Sequence, residues 1–206
     1  LAPVFIASVA ERFRREAPQA RLSLHALGPS FDFERSLAEG DLDVVIGNWP
    51  EPPHRMHLSM LLEDEIVCLV AASHPCAKKG MSVDDYLRAA HVVPMPYSIS
   101  QRGVIDSVLA SMRISRDERV AVQSFTAAPY LLQGTDLVFT TTRHFAQFFL
   151  HRVQAVAVVV GNPEIVGLQC HVGMVGAIHA LGDRQRAQVQ QSILARVVQA
   201  GLGRQR

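Results

Sequence analysis

Residues 36–47 read SLAEGDLDVVIG, and this stretch restricts the fold more than any other in the chain. Leu37 closes a short amphipathic turn, and Gly40 supplies the left-handed residue on which helices commonly stop. Leu42 to Ile46 is then almost continuously apolar. It is too short for a buried helix and is β-branched at Val44, Val45 and Ile46. Such a run predicts a strand covered on both faces, as in a parallel sheet flanked by helices. Gly47 ends it, and the chain leaves the carboxyl end through Asn48, Trp49 and Pro50. Ligands of open α/β sheets sit at such ends.

The remainder alternates the same two periods. Residues 3–18 carry Phe5, Val9 and Phe13 at helical spacing, with Glu11, Arg12, Arg14 and Arg15 on the wet side. Residues 21–27 alternate Leu22, Leu24 and Ala26 against Ser23 and His25, which is the period of a strand. After Gly28-Pro29, either Ser30 or Asp32 can cap a short helix with an acidic first turn. Residues 58–62 and 65–72 predict two further strands. Ser82 and Asp85 frame a helix start, residues 91–94 a short strand, and Val104, Val108 and Met112 a second amphipathic helix. Residues 119–124 read as strand, Ser124 as the cap of a helix over 125–133, and 137–141 as strand. Phe145, Phe148 and Phe149 stripe another helix, strands follow at 153–160 and 165–175, and a helix at 183–199 closes the chain. Strands alternate with helices once before about residue 72 and again after about residue 80, the pattern of two small α/β units.

A chain of 206 residues is ample for a core. The longest apolar runs fall far short of the roughly 20 residues that span a bilayer, so no membrane partner is expected. Twenty Lys and Arg against 19 Asp and Glu leave a formal charge of +1, without the electrostatic footprint of a nucleic-acid binder. Cys68, Cys76 and Cys170 are odd in number and widely spaced, which suits reduced cytoplasmic thiols rather than a disulfide frame or a zinc site. Leu1 starts abruptly, with no Met or secretory leader, so a piece of a longer chain is expected.

The chemistry-bearing motifs are sparse. His54-x-x-His57 sits among Pro50, Pro52 and Pro53 in a loop with no acidic third ligand, so no metal site is expected. Phosphate-loop, dinucleotide and nucleophile-elbow signatures are absent, no cofactor is implied, and no constellation calls for catalysis. Trp49 after its strand can stack on a ligand or plug the loop, and Phe125 has the same two readings. Arg102, preceded by the hydroxyl-rich residues 98–101, is the best anion-pairing candidate, though a plain exposed arginine fits its surroundings equally.

The segments LAEGDLDVVIG and LLEDEIVCLVAASHP, followed by MSVDDYL and SFTAAPYLLQGTDLVFTTTRHFA, resemble in order and spacing the effector-binding domain of LysR-type transcriptional regulators. The variants GNWPEPP and LEDEIVCLV are similar to the subgroup of nodulation and naphthalene/salicylate regulators, which respond to aromatic compounds. One departure falls near the expected site: the family's Gly-rich turn ending in proline is replaced here by QGTDLVFTTTRH, which adds hydroxyls.

The resemblance implies an α/β fold of two Rossmann-like subdomains joined by a two-strand hinge, periplasmic-binding-protein-like of type 2. Residues 1–70 and 171–206 would form subdomain I and residues 71–170 subdomain II, with the chain crossing near Leu69 and near Cys170 and His171. The family's winged helix-turn-helix would precede Leu1, so operator DNA would be bound only through that absent part. A small aromatic or carboxylate-bearing effector would lie in the cleft. Phe5, Ser30 and Phe31 would come from the first subdomain, with Asn48 and Trp49 on its rim. Ser98, Ser100 and Arg102 would follow a strand of the second. Ser124, Phe125 and Thr126 would open a helix whose amides hold an anion, and Thr141 and Thr142 would close the wall. A cytoplasmic homodimer or tetramer without catalytic activity is expected. A periplasmic-type solute-binding protein is the alternative, and a small-acid enzyme on the same scaffold the third reading.

Overall fold

A computed structural model describes residues 3–28, 30–48, 56–96, 103–151, 155–158 and 169–177. The chain divides into two units. The first comprises Leu1–Ala26, Asp32–Leu62 and His171–Arg206, and the second Leu27–Phe31 and Glu63–Cys170. The first crossing thus falls at Leu62–Glu63, earlier than the neighbourhood of Leu69, which is itself fully buried inside the second unit. The second crossing falls at Cys170–His171.

In the first unit, helix α1 (Pro3–Glu16) ends on Arg14 and Arg15, cations suited to its carboxyl end. Helix α2 (Phe33–Glu39) is capped by Asp32, whose side chain accepts the Arg35 N–H at 3.0 Å. It stops at Gly40, where φ is +83°, a conformation that favours glycine. Phe33 and Leu37 bury its inner face. Strand β1 (Val45–Asn48) follows and pairs antiparallel with β7 (Gln169–Ala177), in register Val45↔Val175 to Asn48↔Val172. The parallel setting expected for this strand is therefore not what its ladder with β7 provides. Residues 21–27 form no strand: Leu24 is 61% exposed and the segment joins no ladder, so alternation alone does not make a strand without a partner edge.

The second unit is built on the part of β2 (Met56–Ala71) from Glu63 onward, and β2 is one continuous 16-residue strand where two were expected. Every residue from Ile66 to Ala71 is buried, because β5 (Val138–Thr142) and β6 (Ala155–Val158) pair antiparallel on its two sides. Beyond β5 lie β3 (Ala90–Pro94) and β4 (Asp117–Val122), both parallel to the strand beside them, in the order β6-β2-β5-β3-β4. The register Cys68↔Thr140 and Leu69↔Phe139 assigns the two faces. One face packs Cys68, Val70 and Val138 against Cys76 of α3 (Cys76–Lys79), Tyr86 of α4 (Val83–Arg88) and Leu109 of α5 (Val104–Ser111). Ser82 and Asp85 start α4 with the reciprocal cap that their spacing predicts. The other face carries an aromatic cluster. Phe139 meets Phe125 at 5.2 Å and Phe145 at 6.2 Å, and Phe145 of α6 (Arg143–Phe149) meets Phe149 at 4.8 Å.

The expected helix over 125–133 is a turn followed by a five-residue 3₁₀ helix, η1 (Ala128–Leu132). Its bonds run from Ala127 N to Ser124 O, Tyr130 N to Ala127 O and Gln133 N to Tyr130 O. Pro129 donates nothing, and Gly134 at φ +68° turns the chain away, so too few residues remain for a ladder of i→i−4 bonds. The helix expected over 183–199 lies outside the described residues.

A polar network crosses the first face. The Tyr86 hydroxyl and Thr140 Oγ1 share a hydrogen bond at 3.0 Å, and the Cys68 sulfur lies 3.8 Å from the same oxygen. His91 Nε2 donates to the Tyr86 carbonyl at 2.7 Å. That carbonyl can only accept, so Nδ1 is the bare nitrogen, buried with no partner among the described residues, and burial holds the imidazole below its ordinary pKa. Burial likewise pushes the Cys68 thiol from 9.0 up to about 12 and the Tyr86 phenol from 10.0 to about 12. The folded chain keeps these protons where the unfolded chain sheds them. Stability is then full below about pH 9 and falls as pH rises from there toward 12. Urea midpoints across that range should show the loss, and Cys68→Ala should make the curve shallower.

Candidate functional site

From β3 the chain passes through α5 to β4 on one side, then returns past β3 to β5 on the other. The connections diverge between β3 and β5. That is the switch point at which the carboxyl ends of an open α/β sheet form a crevice for a ligand. The carboxyl ends of the three parallel strands are Pro94, Val122 and Thr142. The Met95 N–H donates to the Val122 carbonyl at 2.8 Å, locking the ends of β3 and β4 together.

Three groups of expected site residues follow these ends. Ser98, Ser100 and Arg102 come after β3 and lie outside the described residues, as does Trp49. Beyond β4, Ser124 and Thr126 are exposed and their hydroxyls meet at 3.1 Å. Phe125 between them is half-buried, with its ring 4.7 Å from Phe145 as well as beside Phe139, so much of it belongs to the aromatic cluster. The α-helical amino end expected at Ser124 is absent, since a turn stands there. At the end of β5, Thr141 is 3% exposed and its Oγ1 is buried without a hydrogen-bond partner among the described residues. Thr142 follows as the N-cap of α6 and makes no side-chain cap bond. The remaining candidates divide between the units. Half-buried Phe5 belongs to the first, as does Asn48 at the end of β1, while Ser30 and Phe31 belong to the second rather than to the subdomain assigned to them from the sequence.

The cap that Thr142 does not supply comes from β2. Asp64, buried on the face of Ile66, accepts the His144 N–H at 3.2 Å through Oδ2, and His144 Nδ1 lies 2.9 Å from its Oδ1. Beside it, Arg143 Nε donates to Glu65 Oε2 at 2.6 Å. This four-residue clasp joins the first turn of α6 to β2 at the end of β5. Sequence reasoning did not find it, although the signal was present: Asp64 sits in phase with Ile66 and Cys68 on the inward side of a buried strand.

A second clasp anchors α5. Arg116 donates through Nε and Nη2 to the two oxygens of Asp106, at 2.8 and 2.7 Å, with its side chain 3% exposed. Burial is the largest single influence and lowers the guanidinium pKa, but the Asp106 hydrogen bonds together with the surrounding charge interactions raise it above its ordinary value. Asp106→Ala leaves a buried cation unpaired and should cost about 3 kcal/mol. Denaturant unfolding checks this, and Asp106→Glu, which keeps the charge, should lose less.

Comparison with known proteins gives this arrangement a class. The regulatory domain of the transcriptional activator MexT from Pseudomonas aeruginosa superposes with a TM-score of 0.74 at 19% identity, over 94% of this chain and 90% of that one. The effector-binding domain of QuiR, solved in complex with shikimate, superposes with a TM-score of 0.69 at 15% identity, over 92% of this chain and 88% of that one. These likenesses show the fold, the type 2 periplasmic-binding-protein-like α/β fold. The family described as LysR substrate binding domain matches residues 1–193, and the chain belongs to it. It is 30% identical over 148 residues to nodulation protein D 2 of Rhizobium tropici, covering 71% of this chain and 46% of that protein. It is 27% identical over 143 residues to the transcriptional activator NagR of a Ralstonia species, covering 69% and 46%. The chain spans about half the length of the curated relatives it matches.

Proposed function

We propose that this chain is the effector-sensing part of a LysR-type transcriptional regulator and takes a small aromatic carboxylic acid at the strand ends of its second unit. The observation that carries the reading is the β3/β5 switch point with Thr141 at its edge, a buried hydroxyl that no group among the described residues satisfies. Such a hydroxyl is costly unless a ligand or water oxygen engages it. Relatives that are transcriptional regulators support the class, and the shikimate complex of QuiR supports a small-molecule ligand for the fold. The ligand shifts an equilibrium between conformations and acts on operator DNA through a separate DNA-binding domain, in the cytoplasm and without catalysis. No described helix is long and apolar enough to cross a membrane.

Arg102 supplies the cation for the acid. A guanidinium pairs with a carboxylate through two parallel hydrogen bonds, which a lysine ammonium cannot reproduce. Arg102→Ala should lose about 1.5–3 kcal/mol of binding, and Arg102→Lys should recover only part of it. Calorimetric titration with benzoate-like acids and their neutral amides measures both. Equal affinity for acid and amide, or full affinity in Arg102→Ala, removes Arg102 from the site.

The domain works as a closed two-fold homodimer, alone or within a tetramer. On α1, Ile6 is 40% exposed on a helix that also carries half-buried Phe5, Val9 and Phe13, although exposed Glu11 and Arg15 show that the rest of its surface is wet. Sedimentation at high protein concentration should show a dimer, and Ile6→Glu should weaken it. A wild-type protein that stays monomeric contradicts the assignment.

A further inference from the structure

Strand β2 belongs to the first unit up to Leu62 and to the second from Glu63. Its ladder with β5 begins only at Ile66↔Thr142, because past Thr142 the other chain turns into α6 and offers no further strand edge. Glu63, Asp64 and Glu65 thus lie between the crossing and the first rung to β5. Side chains fill this gap in the same register. Continued by one and then two positions, the register sets Glu65 opposite Arg143 and Asp64 opposite His144. Those are the pairs that meet. Arg143 Nε donates to Glu65 Oε2 at 2.6 Å, and His144 Nδ1 lies 2.9 Å from Asp64 Oδ1. The Asp64 carboxylate also accepts two backbone N–H groups, that of Glu65 at 2.9 Å and that of His144 at 3.2 Å. The two side-chain rungs differ in kind. Asp64 is 3% exposed against 48% for His144, whereas Glu65 and Arg143 are 67% and 39% exposed.

We propose that these two rungs form a latch on the crossing strand, which opens and shuts the entry of β2 into the second unit while the β2–β5 ladder stays closed. Shut, the latch carries the hold on β2 back to Asp64, next to the crossing. Open, it frees the strand as far as Ile66, so the latch sets how much of β2 can bend where the chain crosses. Two features separate it from a fixed helix cap. Capping α6 needs only the carboxylate and the His144 N–H, whereas the imidazole and the Arg143–Glu65 pair add contacts that the cap does not use. The rungs are also weaker than the ladder they extend. Their partners on α6 are exposed to water and salt, while Cys68 to Val70 is buried with β5 on one side and β6 on the other. Opening therefore starts at the rungs. The exposed Glu65–Arg143 pair contributes less than the rung built on buried Asp64. The latch stands on this geometry whichever effector the chain takes.

Amide hydrogen exchange followed by NMR on wild type, His144→Ala, Arg143→Ala and His144→Asn tests this. Both replaced side chains are exposed enough for the fold to survive their truncation, and the amides of Cys68 to Val70 report on the ladder in the same sample. His144→Ala should speed exchange of the Glu65 N–H by about tenfold, the factor for one lost hydrogen bond to a charged group. Rates at Cys68 to Val70 should not change. Arg143→Ala should speed exchange at Glu65 by less. His144→Asn, which keeps a donor close to the position of Nδ1, should restore most of the protection. An unchanged Glu65 rate in His144→Ala overturns the proposal, because the clasp then holds nothing. So does acceleration of Cys68 to Val70 by the same factor, since rungs and ladder then open together. A His144→Asn protein that exchanges as fast as His144→Ala overturns it as well, because the hold does not then run through the hydrogen bond to Asp64. The effector reading survives each of these results.

Discussion

The second unit depends on the burial of β2 between two antiparallel partners. Ile66 to Ala71 is buried on both faces, with β5 on one side and β6 on the other. With no wet face, the strand tolerates no polar side chain that lacks a bonded partner, which is why Cys68 faces Thr140 and why Asp64, upstream, is satisfied by α6. A strand buried on both faces also has its register held tightly, because a slip of one residue exchanges everything it presents to the two faces.

That register sets the chemistry of the three consecutive threonines on β5. Thr140, opposite Cys68, turns to the face of α4 and joins the tyrosine hydroxyl there. Thr141, opposite Val67, turns to the aromatic face and is left without a partner. Thr142, opposite Ile66, ends the strand and starts α6. Three identical side chains thus become a structural link, an unsatisfied hydroxyl and a helix boundary. Only their pairing with β2 tells them apart.

Two clasps tie helices to the strands of the second unit. Asp64 and Glu65 tie the start of α6 to β2, and Asp106 with Arg116 ties α5 to the approach of β4. Only α6 begins directly at a carboxyl end of the parallel strands, that of β5, so the Asp64 clasp is the one that borders the switch point. An oriented site needs this kind of support, because a side chain left to its own rotamers loses binding energy to their entropy. His144 is held through both its backbone N–H and its Nδ1 by the buried Asp64 carboxylate.

By itself the sequence determined the class of the fold and much of its punctuation. Helical and strand periods, Gly40 after α2, Asp32 before it and the Ser82–Asp85 cap are local signals, carried by backbone sterics and hydrogen bonds within a few residues. The order of motifs was enough to indicate the family. Tertiary structure decided the rest, for reasons local pattern cannot carry. Residues 21–27 alternate as a strand but find no ladder, and β1 pairs antiparallel with a strand more than a hundred positions later. Phe125 turns toward Phe139 and Phe145, contacts set by packing rather than by its place after a strand. Asp64 and His144 lie 80 residues apart and read as an ordinary acid and an ordinary histidine until β2 and β5 are paired. A hydrogen bond between distant residues depends on the register of the strands that carry them, and that register is a property of the assembled sheet.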